Sequence, residues 1–214
     1  LSFKFTVPEN LSVASAKDAV MTLTASGRAD RSTEGDVPEI VQSLSSQKVR
    51  LAGTLALDSL ATYTSAIFGN TGPLPPKVDT KTTYTVQWGI STGLNQIGAV
   101  TATAKLPPNV KWLGKTSPEN ERLYFDEQTG LVTWEAGTLK AFTGGKNGPR
   151  VVFFQIELEP TLDDVDRTAD LVTQIRIQGE DAVTGKTVSS QNDRLSTYIV
   201  KDPVFQAGMD VVVK

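Results

Sequence analysis

The side chains able to do chemistry are few in kind, because histidine and cysteine are both absent from the 214 residues. That excludes Ser-His-Asp and Cys-His catalytic sets, zinc sites of the usual ligands, an imidazole base and any disulfide. Carboxylate chemistry, Ser-Lys chemistry and calcium binding through oxygen ligands are left. Asp163, Asp164, Asp166 and Asp170 fall within eight residues, and the first three are the candidate calcium ligands. They lack the D-x-D-x-D-G register of an EF-hand loop, so a solvated acidic turn competes with the metal reading. Lys140, Lys146 and Arg150 flank Gly144-Gly145 and would suit an anionic glycan, against the plainer reading of a solvated loop. A lysine on an inward strand phase, near Asn or Asp and a buried carboxylate, could weld two strands through an amide. Lys81 and Lys105 both fall on outward phases. A glycosidase pair needs two carboxyls about 5 to 9 Å apart across a cleft, whereas nearly every acidic residue here lies in a turn or on a polar strand phase. No catalytic or cofactor-binding residue is assigned, and the chain reads as non-enzymatic.

The 21 basic and 24 acidic residues leave a formal charge of −3, which gives no electrostatic ground for a nucleic acid or anionic membrane partner. No apolar run approaches the ~18 residues needed to span a bilayer, so this segment is not expected to insert in a membrane. The chain opens LSFKFTV, with neither an initiator Met nor a signal pattern, and reads as a mature protein or an excised piece.

The elements that must position these groups are strands. Tyr84, Val86, Trp88 and Ile90 alternate with Thr83, Thr85 and Gln87, the period of a half-buried strand. The same phase places Val100, Ala102, Ala104 and Leu106 inward, then Val152, Phe154, Ile156 and Leu158, then Leu171, Thr173, Ile175 and Ile177. Turn signals separate them, among them two D-x-x-T-G turns at Asp126 to Gly130 and Asp181 to Gly185, whose glycines should have positive φ. Helix signals are confined to Asp36-Val-Pro38-Glu39 ahead of Ile40, Val41 and Leu44, and to a helical turn at Thr161 to Val165. The fold class is all-β, an antiparallel immunoglobulin-like β-sandwich over residues 77–202, the part that contains Trp88, Trp112 and Trp134 and is expected to have the better packed core.

The stretch GPLPPKVDT carries Pro73, Pro75 and Pro76 and reads as a stiff hinge over residues 72–76. An internal echo sets what it separates: LSFKFTVPENL resembles VFFQIELEPTL, LTASGRAD resembles IRIQGEDA, and LDSLATYTS resembles NDRLSTYIV, in the same order. Residues 1–71 therefore read as a smaller, incomplete β domain related to the second half of the sandwich, with Phe3 and Phe5 buried. Residues 203–214 read as a C-terminal tail.

One family resemblance follows from the motifs. Leu106-Pro107-Pro108-Asn109-Val110, then Phe125-Asp126-Glu127-Gln128-Thr129-Gly130-Leu131-Val132-Thr133-Trp134, then Gly137-Thr138-Leu139 stand in order. The run from Lys77 to Leu158 resembles the bacterial cell-surface "conserved repeat" modules, the family called domain of unknown function eleven. The basic loop Lys140 to Arg150 departs from the family pattern. The resemblance implies a structural or scaffolding module of a bacterial cell-surface or secreted multidomain protein, extracellular or at the cell surface, without chemistry or cofactor beyond the candidate calcium. Its implied partners are neighbouring repeat modules of the parent protein, and the alternative role is an adhesin module binding a surface glycan or protein ligand. Trp134, alternating with Val132, reads as core rather than as a ligand platform.

Overall fold

The computed structural model describes residues 20–32 and 38–214. Its strands are β1 (Val20–Ser32), β2 (Pro38–Arg50), β3 (Leu55–Thr62), β4 (Thr82–Thr92), β5 (Ile97–Lys105), β6 (Val110–Ser117), β7 (Leu123–Asp126), β8 (Leu131–Leu139), β9 (Arg150–Leu158), β10 (Asp170–Asp181), β11 (Thr187–Gln191) and β12 (Leu195–Ser196). One sheet runs β3-β4-β9-β6 and a second runs β11-β10-β5-β8-β7, with β12 also on β10. Neighbours in both sheets pair antiparallel. This order is that of an immunoglobulin-type sandwich: β3, β4, β9 and β6 stand as A, B, E and D, and β11, β10 and β5 as G, F and C. The β7-β8 hairpin is inserted between D and E and widens the second sheet beyond C. The expected immunoglobulin-like sandwich is the observed fold.

Alternation decides which side of each strand goes inward. The expected inward residues of β4, β5 and β9 are all buried, each contributing roughly 1.5 to 3 kcal/mol when it is a large apolar side chain. Trp88 meets Phe154 edge to face at 5.1 Å. On β10 the phase breaks: Leu171, Ile175 and Ile177 are buried, but so is Val172, and Thr173 is not. The register against β5 shifts between Thr173 and Arg176, and Gln174 has φ 52°. That bulge slips the alternation, and the Thr173 hydroxyl donates instead to the Lys105 carbonyl at 3.1 Å.

Both D-x-x-T-G turns have the expected glycine geometry, Gly130 at φ 69° and Gly185 at φ 66°. The Gly130 N–H donates to the Asp126 carbonyl, and that of Gly185 to the Asp181 carbonyl, each at 2.8 Å. Gly130→Val is expected to lower stability by about 1 to 2 kcal/mol through backbone strain. A melting curve superimposable on wild type would contradict this.

Residues 72–76 are not a hinge between domains. The strands on either side, β3 and β4, pair from Leu55↔Thr92 to Thr62↔Thr85, so the segment joins two neighbours of one sheet. Pro76 is buried and Leu74 packs against the core. The Tyr63 hydroxyl donates to the Gly72 carbonyl at 2.9 Å and that of Thr82 to the Pro73 carbonyl at 3.1 Å. Proline restricts φ equally in a spacer and in a packed strap; only the neighbours tell them apart.

Residues 1–71 likewise divide differently from the expectation. Among the described residues β1 pairs with β2 alone, through thirteen residues of each strand, whereas the echoing segment of β10 is central to a large sheet. The echo of residues 192–200 is β3, the first strand of the sandwich itself. A free two-stranded ribbon and strand A, not a half-copy of the module, make up the described part of this region. The segment Leu1 to Val7, with Phe3 and Phe5, lies outside the described residues. The expected helix after Asp36 is strand β2, because its long-range partner β1 overrides a spacing of Ile40, Val41 and Leu44 that local pattern leaves ambiguous. The expected turn at Thr161 to Val165 is present as a 3₁₀ turn, Leu162–Asp164.

The presumed tail belongs to the body. Val212 is fully buried, and its N–H donates to the Arg167 carbonyl at 2.9 Å. The Val213 N–H donates to the Pro76 carbonyl and receives, on its own carbonyl, the Val78 N–H, both at 2.9 Å.

Candidate functional site

Two buried carboxylates hold the ends of β3. Asp181, closing β10, accepts through Oδ2 from the Gly53 N–H at 2.6 Å and from Asn95 Nδ2 at 2.7 Å. Its Oδ1 accepts from the Val183 and Thr184 N–H groups, both at 2.8 Å. Asn95 Nδ2 also donates to the Leu51 carbonyl at 2.8 Å, so the segment entering β3 is tied to the far ends of β4 and β10. Burial pushes the Asp181 carboxyl up, but the hydrogen bonds from Asn95, Gly53, Thr184 and Val183 together outweigh it and bring the pKa to about 2. At the other end of β3, Asp202 accepts from the Tyr63 and Thr64 N–H groups, both at 2.6 Å, and from that of Val204 at 2.9 Å. Donors surround both carboxylates, which serve as anchors rather than as reagents.

Glu121 is a third such anchor. Its side chain is 6% exposed and meets Arg150 Nη1 at 2.8 Å, while its Oε2 accepts from the Trp134 indole N–H at 2.9 Å. One carboxylate thus joins the buried Trp134 of β8 to the first residue of β9.

The groove with the most varied chemistry lies at the end of the sandwich where β4 begins and β9 finishes. It measures about 720 Å³, and its lining includes Trp112, Phe125, Asp79, Glu127, Glu157 and Glu159. Trp112 and Phe125 stack at 5.7 Å with 17° between their planes, and Trp112 also meets Phe154 at 5.1 Å. The rings plug the gap between the edge strands β6 and β7 and form an apolar floor. Two lysines, Lys81 and Lys111, stand against the four carboxylates, and Lys81 is held by Glu157 at 3.0 Å. That hydrogen bond, with the charges of Glu157 and Glu159, raises the Lys81 pKa. Among the described residues, Asp79, Glu127 and Glu159 enter no salt bridge, and four carboxylates against two lysines leave the groove a net negative rim around an aromatic floor.

The sequence-predicted groups are placed as follows. Asp163 and Asp166 are exposed. Asp164 turns back to accept from the Thr161 N–H at 2.8 Å and from Asn109 Nδ2 at 3.1 Å. Asp170 pairs with Arg194 at 3.1 Å. Among the described residues, no three His, Cys, Asp or Glu side chains are grouped as a metal site. Lys140 and Lys146 are exposed, while Arg150 turns to Glu121. Lys81 and Lys105 are exposed, as their phases required. Tyr124 is 48% exposed and donates to Glu135 Oε1 at 3.0 Å, the hydrogen bond that chiefly raises its pKa. Phe125 is half-buried and Trp134 wholly buried in the core.

Sequence reasoning missed Asp202, Glu121, Asn95 and the groove. For Asp181 the turn motif signalled the bonds to Val183 and Thr184, but nothing local signals Gly53.

No family model matches this sequence, and no curated protein matches it. Among solved structures the chain is similar to the full-length major pilin SpaD of Corynebacterium diphtheriae, with 11% identity and a TM-score of 0.40 over 66% of this chain and 35% of that one. It is similar to BcpA, the major pilin subunit of Bacillus cereus, with 10% identity and a TM-score of 0.38 over 79% and 47%. A GH20 exo-β-N-acetylglucosaminidase of Vibrio harveyi is similar over 64% of this chain and 17% of its own, with 10% identity and a TM-score of 0.36. The chain spans less than half the length of each. The fold assignment itself rests on the strand order.

Proposed function

We propose that the chain is a non-enzymatic structural module of a bacterial cell-surface or secreted multidomain protein, built to carry tension between its neighbours. The observation that carries this reading is the path of the chain. β3 begins at one end of the sandwich, beside Asn95 and Asp181, and Val211 to Val213 lie at the other, beside Val78 and Arg167. Neighbours attached at these two opposite ends would be strung in series. β3 pairs with β4 along its whole length, so a pull along the chain loads those hydrogen bonds in shear while Asp181 and Asp202 pin both ends of the strand. The resemblance of residues 77–158 to surface repeat modules supports the setting, and the absence of His and Cys supports a role without catalysis.

Single-molecule pulling between the two termini tests the reading. A high-force unfolding event is expected, and Asp202→Ala should lower its force by freeing the Tyr63 and Thr64 N–H groups. Unfolding of wild type at the low force expected when strands are peeled apart one hydrogen bond at a time would overturn it. The aromatic groove favours a second reading, an adhesin module, and saturable binding on a glycan array would support that reading over the purely structural one.

A further inference from the structure

Three of the four carboxylates around the Trp112 and Phe125 floor stand on backbone that is held in place. The Asp79 N–H donates to the Pro160 carbonyl at 2.9 Å and the Glu159 N–H to the Asn109 carbonyl at 3.0 Å. Glu127 lies in the D-x-x-T-G turn that the Gly130 N–H closes on the Asp126 carbonyl. Asp79 also has φ 55°, a left-handed conformation that Asp adopts more readily than most residues. Glu157 already holds Lys81, so four carboxylates against two lysines leave two negative charges in excess. Like charges fixed side by side repel one another, and a cation that enters relieves the repulsion without first having to order the rim.

Shape and backbone narrow the class of cation. At about 720 Å³ the groove is larger than one ammonium or guanidinium group, and its aromatic floor suits the aliphatic stem of a lysine or the flat face of an arginine. β6 beside it pairs with β9 and, among the described residues, with no other strand. Because the Glu159 N–H goes to the Asn109 carbonyl, Val110↔Leu158 is a non-hydrogen-bonded pair. The N–H and carbonyl of Trp112, two residues on, therefore point away from β9. The register shifts between Trp112 and Thr116, where Gly114 has φ 71°, so the regular edge is short and admits only a short stretch of chain.

We propose that the groove binds a short extended segment of a partner protein carrying two basic side chains in alternate positions, which an extended chain points to one side. The segment pairs with β6 through the Trp112 backbone and sets its charges against Asp79, Glu127 and Glu159. Main-chain hydrogen bonds supply affinity and the charges fix the register. Charge complementarity selects this occupant: a neutral glycan stacked on the rings would leave the excess charge unmatched, and a free polyamine would leave the strand edge unused. The inference rests on the second reading above, the adhesin module, and names the chemistry of its partner.

Tryptophan emission of the full chain reads the groove, since Trp88 and Trp134 are fully buried and Trp112 only partly. Titration with a capped pentapeptide of alternating lysine and valine should change the emission saturably. Binding should weaken as salt is raised, because Asp79, Glu127 and Glu159 are exposed. The same peptide with glutamine for lysine should not bind, and spermidine should bind far more weakly. Glu127→Lys combined with Glu159→Lys should weaken peptide binding roughly tenfold or more, with an unchanged melting temperature. Equal binding of the glutamine peptide, equal binding of spermidine, or no saturable change would each overturn the proposal. So would a chain that binds the peptide only after Lys4→Glu, which would put its own first residues in the groove, or self-association that the peptide competes away, which would put a second copy there. Saturable binding on a glycan array without peptide binding would sink this inference and leave the adhesin reading standing.

Discussion

Asp181→Ala is expected to cost about 3 kcal/mol, a fall of roughly 6 to 12 °C in melting temperature for a body of this size. The carboxylate is fully buried and takes four N–H donors, from Gly53, Asn95, Val183 and Thr184. Removing it leaves those donors without their acceptor, those of Gly53 and Asn95 in the buried interior. Asp181→Asn should lose nearly as much, because its amide nitrogen would face donors. The pH dependence has a definite sign. The folded pKa of about 2 lies below the ordinary 3.8, so the stabilisation is present above about pH 4 and is lost as the pH falls through about 2. On the order of 2 kcal/mol is at stake. Chemical denaturation of wild type and Asp181→Ala across that range should show their difference shrinking toward low pH. A difference that stays constant would mean that the carboxylate is not bound in its charged form.

Trp134→Ala should cost about 3 to 5 kcal/mol. The indole is fully buried, and deleting it both opens a cavity between the sheets and takes from Glu121 the N–H that it accepts at 2.9 Å. Glu121, almost closed to solvent, would then rely on Arg150 alone. Trp134→Phe keeps most of the volume and loses only that hydrogen bond, so about 1 to 2 kcal/mol is expected. Urea titrations of both variants measure the pair of effects. If Trp134 were a ligand platform, the alanine variant would keep its stability.

The corrections share a cause. The helix signal after Asp36 and the proline run at residues 72–76 were read from neighbours in sequence, and each is explained by neighbours in space. Pro38–Arg50 is extended because β1 pairs with it through thirteen residues. Pro73, Pro75 and Pro76 form a strap because Tyr63 and Thr82 hold it against the sheet. The loose echo between the two halves reflects strand composition, since β-branched and aromatic residues with period two recur wherever a strand is half buried.

What residue order determined unaided is whatever depends on period and on local backbone geometry. The alternation of Tyr84, Val86, Trp88 and Ile90 was enough to predict an inward face, because strand side chains alternate whatever the partner strand. The D-x-x-T-G pattern was enough to predict the left-handed glycines Gly130 and Gly185, because that turn needs positive φ at one position. The absence of His and Cys was enough to exclude whole classes of chemistry. What only the tertiary structure decided is which strands pair and which charges meet. Asp181 takes its donors from Gly53 and Asn95, 128 and 86 residues away, and its turn would look the same without them. The groove likewise draws Asp79, Glu127 and Glu159 from three separate loops, and no local pattern in the chain encodes that meeting. Packing of two sheets brings together groups distant in sequence, and the sum of many weak long-range contacts, not the propensity of any one segment, chooses the arrangement.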